Sequence, residues 1–214
     1  MMNRIIFLCV VLACVWKPSY AKKKCVLPSP QKINWSRLTG KWYNILNRKT
    51  PGDRLVKCLQ LRDFEKNKAG FSYVIEDYHL NTGTYGGVKV NFKLKKSGIY
   101  TPIPKVATGL KWLKIVGKDT PHRRVSKPVK HELMAMSTSN IVFLTDYKNY
   151  VMDIRCSANG EKMIWVMSRN PHPGPEDILR ITNKLNKIGR GWNDFPLFVT
   201  GCTKTSGLHN FKHA

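Results

Sequence analysis

The chain has 214 residues, 37 of them Lys or Arg against 13 Asp or Glu, for a formal net charge of +24. Such a field biases partners toward anionic surfaces and keeps a protein soluble, but it does not specify a fold. Zinc-finger, RRM and basic-zipper signatures are absent, which argues against sequence-specific recognition of nucleic acid.

Residues 1–21, MMNRIIFLCVVLACVWKPSYA, have the layout of a secretory signal peptide. Arg4 lies near the start, an apolar run extends from Ile5 to Trp16, and Ser19-Tyr20-Ala21 gives a small-x-small ending. The apolar run is too short to span a bilayer. Cleavage after Ala21 would leave 193 residues with a net charge of +22, and would remove Cys9 and Cys14. Cys25, Cys58, Cys156 and Cys202 remain. An even set in a chain bound for an oxidising compartment reads as two disulfides, with three possible connectivities. No CxxC pair is present and no His stands at ligand spacing from a Cys, so no metal site is expected.

Residues 22–33, KKKCVLPSPQKI, are basic and proline-broken and read as an extended lead-in. Asn34 or Ser36 is placed to cap a single helical turn. Asn34-Trp35-Ser36 is also the one N-glycosylation pattern, which makes Asn34 the candidate acceptor. From there the pattern is mostly period two, in KWYNILNRKTP, VKCLQLRDFE, GFSYVIEDYHL, TYGGVKVNFKLKK, VKHELMAMS, SNIVFLTDY, NYVMDIRCS and EKMIWVMSR. Eight short strands joined by turns predict an antiparallel barrel or sandwich.

Two segments depart from that rhythm. Residues 97–128 are long, basic and rich in Pro and Gly; within them VATGLKWLKIV is either an extra strand or a replacement for the fourth. In PEDILRITNKLNKIGRGW, Ile178, Ile181, Leu185 and Ile188 recur at helical spacing, with Pro175, Glu176 and Asp177 opening the helix and Gly189 ending it. One helix after eight strands suits a barrel with the helix packed outside.

Three stretches now stand in order. NWSRLTGKWY (34–43) places a Gly-x-Trp after a helical turn. TDYKNYVMDIRC (145–156) places Thr145-Asp146-Tyr147 between the sixth and seventh strands, and WVMSRNP (165–171) ends the eighth strand on Arg169. Together they resemble the three motifs of the lipocalins, over nearly all of the chain beyond residue 21. The resemblance implies an eight-stranded up-and-down β-barrel with one C-terminal α-helix outside. It also implies structural roles for Gly40, Trp42, Thr145, Asp146, Tyr147 and Arg169, with Trp42 plugging one end and Arg169 stacked across its indole. The cysteine pattern resembles apolipoprotein D and the insect bilin-binding lipocalins, which implies Cys25–Cys156 and Cys58–Cys202. The chain then divides into 1–21 signal peptide, 22–33 lead-in, 34–202 barrel plus helix, and 203–214 basic tail.

A barrel of eight strands has room for side chains or one small ligand. Counting back from Arg169 turns Met167, Trp165 and Met163 inward. The same alternation assigns Tyr150, Met152 and Ile154 to the interior against an outward Asp153 and Arg155. Val142 and Leu144, Leu59 and Leu61, and Tyr73 and Ile75 complete the expected wall. An apolar, methionine-rich wall suits a fatty acid, sterol, retinoid or linear tetrapyrrole. His122, Arg123, Arg124, Lys127 and Lys130 form a basic loop, a candidate contact for an anionic glycan or phospholipid surface.

GxSxG, HExxH and P-loop patterns are missing and no carboxylate pair stands out, so no catalytic residues are assigned. No cofactor is required. Haem ligation is disfavoured, with His79 and His131 the only candidates by position. The expected function is extracellular binding, transport or sequestration of a small hydrophobic ligand. The alternative is a secreted interaction protein that acts through its basic surface on anionic glycans, membranes or a host protein.

Overall fold

A computed structural model of the protein describes residues 25–48, 58–79, 84–103, 138–157, 160–189, 197–200 and 202. A 3-10 turn, Trp35–Arg37, leads into β1 (Trp42–Asn47), β2 (Cys58–Lys66), β3 (Gly70–His79), β4 (Thr84–Lys96) and β5 (Ile99–Pro102). Then come β6 (Ile141–Thr145), β7 (Val151–Cys156), β8 (Lys162–Ser168), helix α1 (Pro175–Ile188) and a short β9 (Phe198–Val199). From β1 to β8 each strand pairs antiparallel with the next in sequence, and β8 returns to β1. β1 also pairs with β2, through Trp42↔Leu61 and Tyr43↔Gln60, so the sheet closes into an eight-stranded antiparallel barrel with β9 added on β1. Closure removes the exposed strand edges that an open sheet would present.

The fifth strand departs from the sequence reading. Its place is filled by Ile99–Pro102, inside the segment set aside as irregular, and it pairs with β4 and β6. Gly98, at φ 71°, makes the tight reversal from β4 to β5. A Cβ there would lie 2.7 Å from the Gln31 carbonyl oxygen, so the position favours glycine both by conformation and by space. Burial alternates along it, with Tyr100 inside, but Ile99 packs against the outer layer and is apolar too, so no polar–apolar alternation marks the strand in the sequence. Val129–Ser137, the strand expected there, lies outside the described residues, as do VATGLKWLKIV, the basic loop 121–131, residues 1–24 and the tail 203–214.

Two apolar layers hold the molecule together. One fills the barrel and includes Trp35, Trp42, Leu61, Phe71, Tyr73, Phe92, Phe143 and Trp165. The other lies between the barrel wall and α1, where Ile181 and Leu185 are fully buried against Ile45, Val142, Met152, Ile164 and Val166. Pro175 starts the helix with Glu176 and Asp177 in its first turn, favourable placements for a ring without an N–H and for charge at the positive end. Two disulfides complete the frame. Cys25–Cys156 ties the lead-in to the end of β7 across 131 residues, and Cys58–Cys202 ties β2 to the chain just after β9 across 144.

Candidate functional site

One end of the barrel is capped. Trp42 is fully buried, and the Arg169 guanidinium carbon lies 4.1 Å from its ring centroid. The same guanidinium donates to the Thr39 carbonyl, while the indole N–H donates to Leu38 O at 3.4 Å. Gly40, at φ 77°, sits beneath, and a Cβ on it would come within 3.0 Å of Arg169 Nη1.

The turn 145–150 packs beside this cap. Asp146 Oδ1 accepts from the backbone N–H of Lys148, Asn149 and Tyr150 at 3.1, 2.8 and 3.1 Å, and Oδ2 from Asn149 Nδ2 at 2.6 Å. Burial by itself would raise this carboxyl, but the hydrogen bonds from Asn149, Tyr150 and Lys148 outweigh it and hold it below its usual range. Thr145 exchanges two hydrogen bonds with the Gln31 side chain. Tyr147, at φ 66°, accepts from the Asn34 N–H through its hydroxyl and carries the Arg37 guanidinium on its ring. Asn34 itself is exposed ahead of the 3-10 turn, and its side chain accepts from Ser36 rather than capping the turn.

Inside the barrel, Trp35 stacks on Phe71 at 3.5 Å between centroids, and Phe71 stacks on Phe92 at 4.6 Å. Tyr100 and Phe143 meet this pile edge-on, and the indole N–H of Trp35 donates to the Tyr100 hydroxyl. These rings occupy the part of the barrel nearest the 3-10 turn. Beyond them Leu59, Ile75 and Val90 are only half-buried.

The strand registers decide which side chains face inward. Phe143↔Asp153, Asp153↔Trp165 and Trp165↔Asn47 run in step across β6, β7, β8 and β1. Since Phe143 and Trp165 belong to the interior layer, so do Asp153 and Asn47. Ile141↔Arg155 and Arg155↔Met163 place Arg155 inside as well. Arg155 Nε donates to Asp153 Oδ1 at 3.0 Å, and Nη2 to Oδ2, giving a two-point ion pair that is almost fully buried. Its guanidinium lies 5.0 Å from the Trp165 ring centroid and is hydrogen-bonded to the Tyr73 hydroxyl. Burial, helped by Asp153, pushes Tyr73 far above its usual range, so the phenol stays neutral.

Of the side chains expected to line a cavity, Leu61, Tyr73, Ile75, Met163, Trp165 and Met167 belong to the interior layer. Val142, Tyr150 and Met152 do not. They lie outside the barrel wall in the layer under α1, together with Leu144 and Ile154. The alternation on β6 and β7 is therefore reversed from the sequence reading. That reading took the apolar face as inward, but α1 covers the outer face and buries both. Asp153 and Arg155 were assigned outward as charged residues, and they sit inside because they neutralise each other. Sequence reasoning also passed over Asn47, Phe71, Phe92 and Phe143. For Phe71 a signal was present, since it stands two residues before Tyr73 on β3 and shares the alternation of Tyr73 and Ile75. His122, Arg123, Arg124, Lys127, Lys130 and His131 lie outside the described residues, as does the side chain of His79.

No family model matches the chain, and no curated protein sequence matches it either. Solved structures do. The cockroach major allergen Per a 4 is similar with a TM-score of 0.55 and 10% identity, over 84% of this chain and 94% of that one. Lobster apocrustacyanin A1 follows with a TM-score of 0.54 and 12% identity, over 86% and 92%. A biogenic amine-binding protein has a TM-score of 0.50 and 18% identity, over 85% and 88%. Likeness at this level of identity speaks for architecture, and the architecture is the lipocalin fold.

Proposed function

We propose that this protein is a secreted lipocalin, of the apolipoprotein D-like and insect bilin-binding kind, that binds and carries a small hydrophobic ligand in its barrel. The observation that supports this most is the division of the interior. Aromatic rings fill one part, and beyond them Leu59, Ile75, Val90, Met163 and Trp165 line a wall of which three members are only half-buried. Such a wall suits a fatty acid, sterol, retinoid or tetrapyrrole. Two disulfides in the described chain favour an oxidising, extracellular setting, in line with the reading of residues 1–21. Binding and release need no covalent step, so no enzymatic role is assigned.

Native mass spectrometry of the secreted protein, followed by solvent extraction, tests the reading. A stoichiometric lipid, retinoid or pigment supports it. Protein that is recovered empty and takes up no hydrophobic probe speaks against it. That outcome favours the second reading, in which the formal charge of +24 serves an anionic glycan or phospholipid surface.

A further inference from the structure

The barrel interior holds a polar group of side chains that a purely hydrophobic cargo would not need. Asp153 and Arg155 form a buried two-point ion pair, with Tyr73 bonded to the guanidinium and Trp165 beneath it. Asn47 lies on the same inner face, in register with Trp165, and is only 8% exposed. Its side-chain amide has no hydrogen-bond partner among the described residues. A buried amide without partners is a costly arrangement, rare in folded proteins unless something else satisfies it.

From these residues we infer that the barrel selects ligands whose polar end is uncharged and both donates and accepts hydrogen bonds, such as an alcohol or a primary amide on an apolar body. The inference rests on the carrier reading and narrows it. The group carries no net charge, because Arg155 and Asp153 cancel. A ligand carboxylate meets Asp153 as a like charge, and a ligand ammonium meets Arg155. Either one must break a buried pair, which leaves a charge uncompensated in a low-dielectric interior. A hydroxyl or amide avoids that penalty. It can accept from the Asn47 amide nitrogen and donate to the Asn47 oxygen while the ion pair stays intact. Specificity then comes from rejecting charged heads as much as from binding the neutral one.

The test uses three twelve-carbon ligands that differ only at the head: 1-dodecanol, dodecanoate and dodecylammonium. Each displaces the uncharged fluorophore N-phenyl-1-naphthylamine from the full secreted protein at neutral pH. Dodecanol is expected to bind at least about tenfold more tightly than either charged analogue, a gap of about 1.4 kcal/mol. In Asn47→Leu, which keeps the volume and removes the amide, dodecanol should lose about tenfold. In Asp153→Asn, dodecanoate should overtake dodecylammonium by a similar factor, since the Asp153 charge that offsets Arg155 is then removed. A wild-type protein that prefers either charged ligand overturns the inference and leaves the carrier reading standing, and this comparison decides the matter even if the variants do not fold. An unchanged dodecanol affinity in folded Asn47→Leu, or an unchanged ratio of dodecanoate to dodecylammonium affinity in folded Asp153→Asn, overturns it as well. If neither the fluorophore nor any of the three ligands binds, the carrier reading falls and the inference falls with it.

Discussion

Arg169 and Trp42, 127 positions apart in the chain, form one unit: the guanidinium lies 4.1 Å above the indole and donates beside it to the Thr39 carbonyl. Trp42 begins the first strand and Arg169 follows the eighth, so the contact fastens the seam where the sheet closes on itself.

Replacing Arg169 with Met keeps most of the stem packing and removes the charge and its donors. The loss expected is about 1–3 kcal/mol, combining a partly desolvated cation–π stack with a charge-assisted hydrogen bond. Urea unfolding of wild type and variant measures it. An unchanged midpoint would mean that the stack merely accompanies closure.

The disulfides act on a different part of the frame. Cys58–Cys202 closes a separation of 144 residues and holds the segment after β9 against β2. Replacing both cysteines with Ala should cost about 2–5 kcal/mol, mainly by freeing the unfolded chain. The paired Cys25 and Cys156 variant should fall in the same range. Thermal unfolding under non-reducing conditions provides the comparison, and a stability equal to wild type in either variant would contradict it.

Trp165 and Met152 separate the two apolar layers. Trp165 faces the interior beneath Arg155, whereas Met152 is fully buried on the other side of the wall under α1. Met152→Ala should destabilise the fold by about 2–5 kcal/mol while the folded fraction binds an apolar fluorophore as wild type does. Trp165→Ala should weaken that binding about tenfold or more. Should Met152→Ala abolish binding in well-folded protein, the assignment of inner and outer faces would be wrong.

Asp146 predicts an acid dependence of stability. Its carboxyl is held below the usual range in the folded state, so in the window between the two pKa values the unfolded chain binds the extra proton. Stability from this group is therefore complete above the unfolded value of about 3.9 and is lost as pH falls through the lower folded value. Asp146→Asn should be less stable than wild type at pH 6, and the gap should narrow steadily toward pH 2. Urea titrations at several pH values follow it. A gap that stays constant with pH would assign the effect to geometry rather than to charge.

Local patterns in the sequence were enough for much of the scaffold. Alternation marked β2 to β4, because a strand with one face in a core must repeat every two residues, and short runs of strand-forming residues bounded by turns marked β1 and β6 to β8. Ile178, Ile181, Leu185 and Ile188 marked α1 for the corresponding helical reason, and Gly40, Trp42 and Arg169 marked the capped end by resemblance. What the sequence alone could not decide was which face of β6 and β7 looks inward. Ile141 to Leu144 are apolar and buried at every position, since the barrel interior lies on one side and α1 on the other. Charge was no guide either. Asp153 and Arg155, two apart on one strand, share a face and neutralise each other, so they can be buried together where either alone would be expelled. β5 stayed hidden because Ile99 and Tyr100 are apolar on opposite faces, so its alternating burial leaves no polar–apolar pattern. Periodicity is a property of one segment, whereas inside and outside are fixed only when the ladders close and the helix docks.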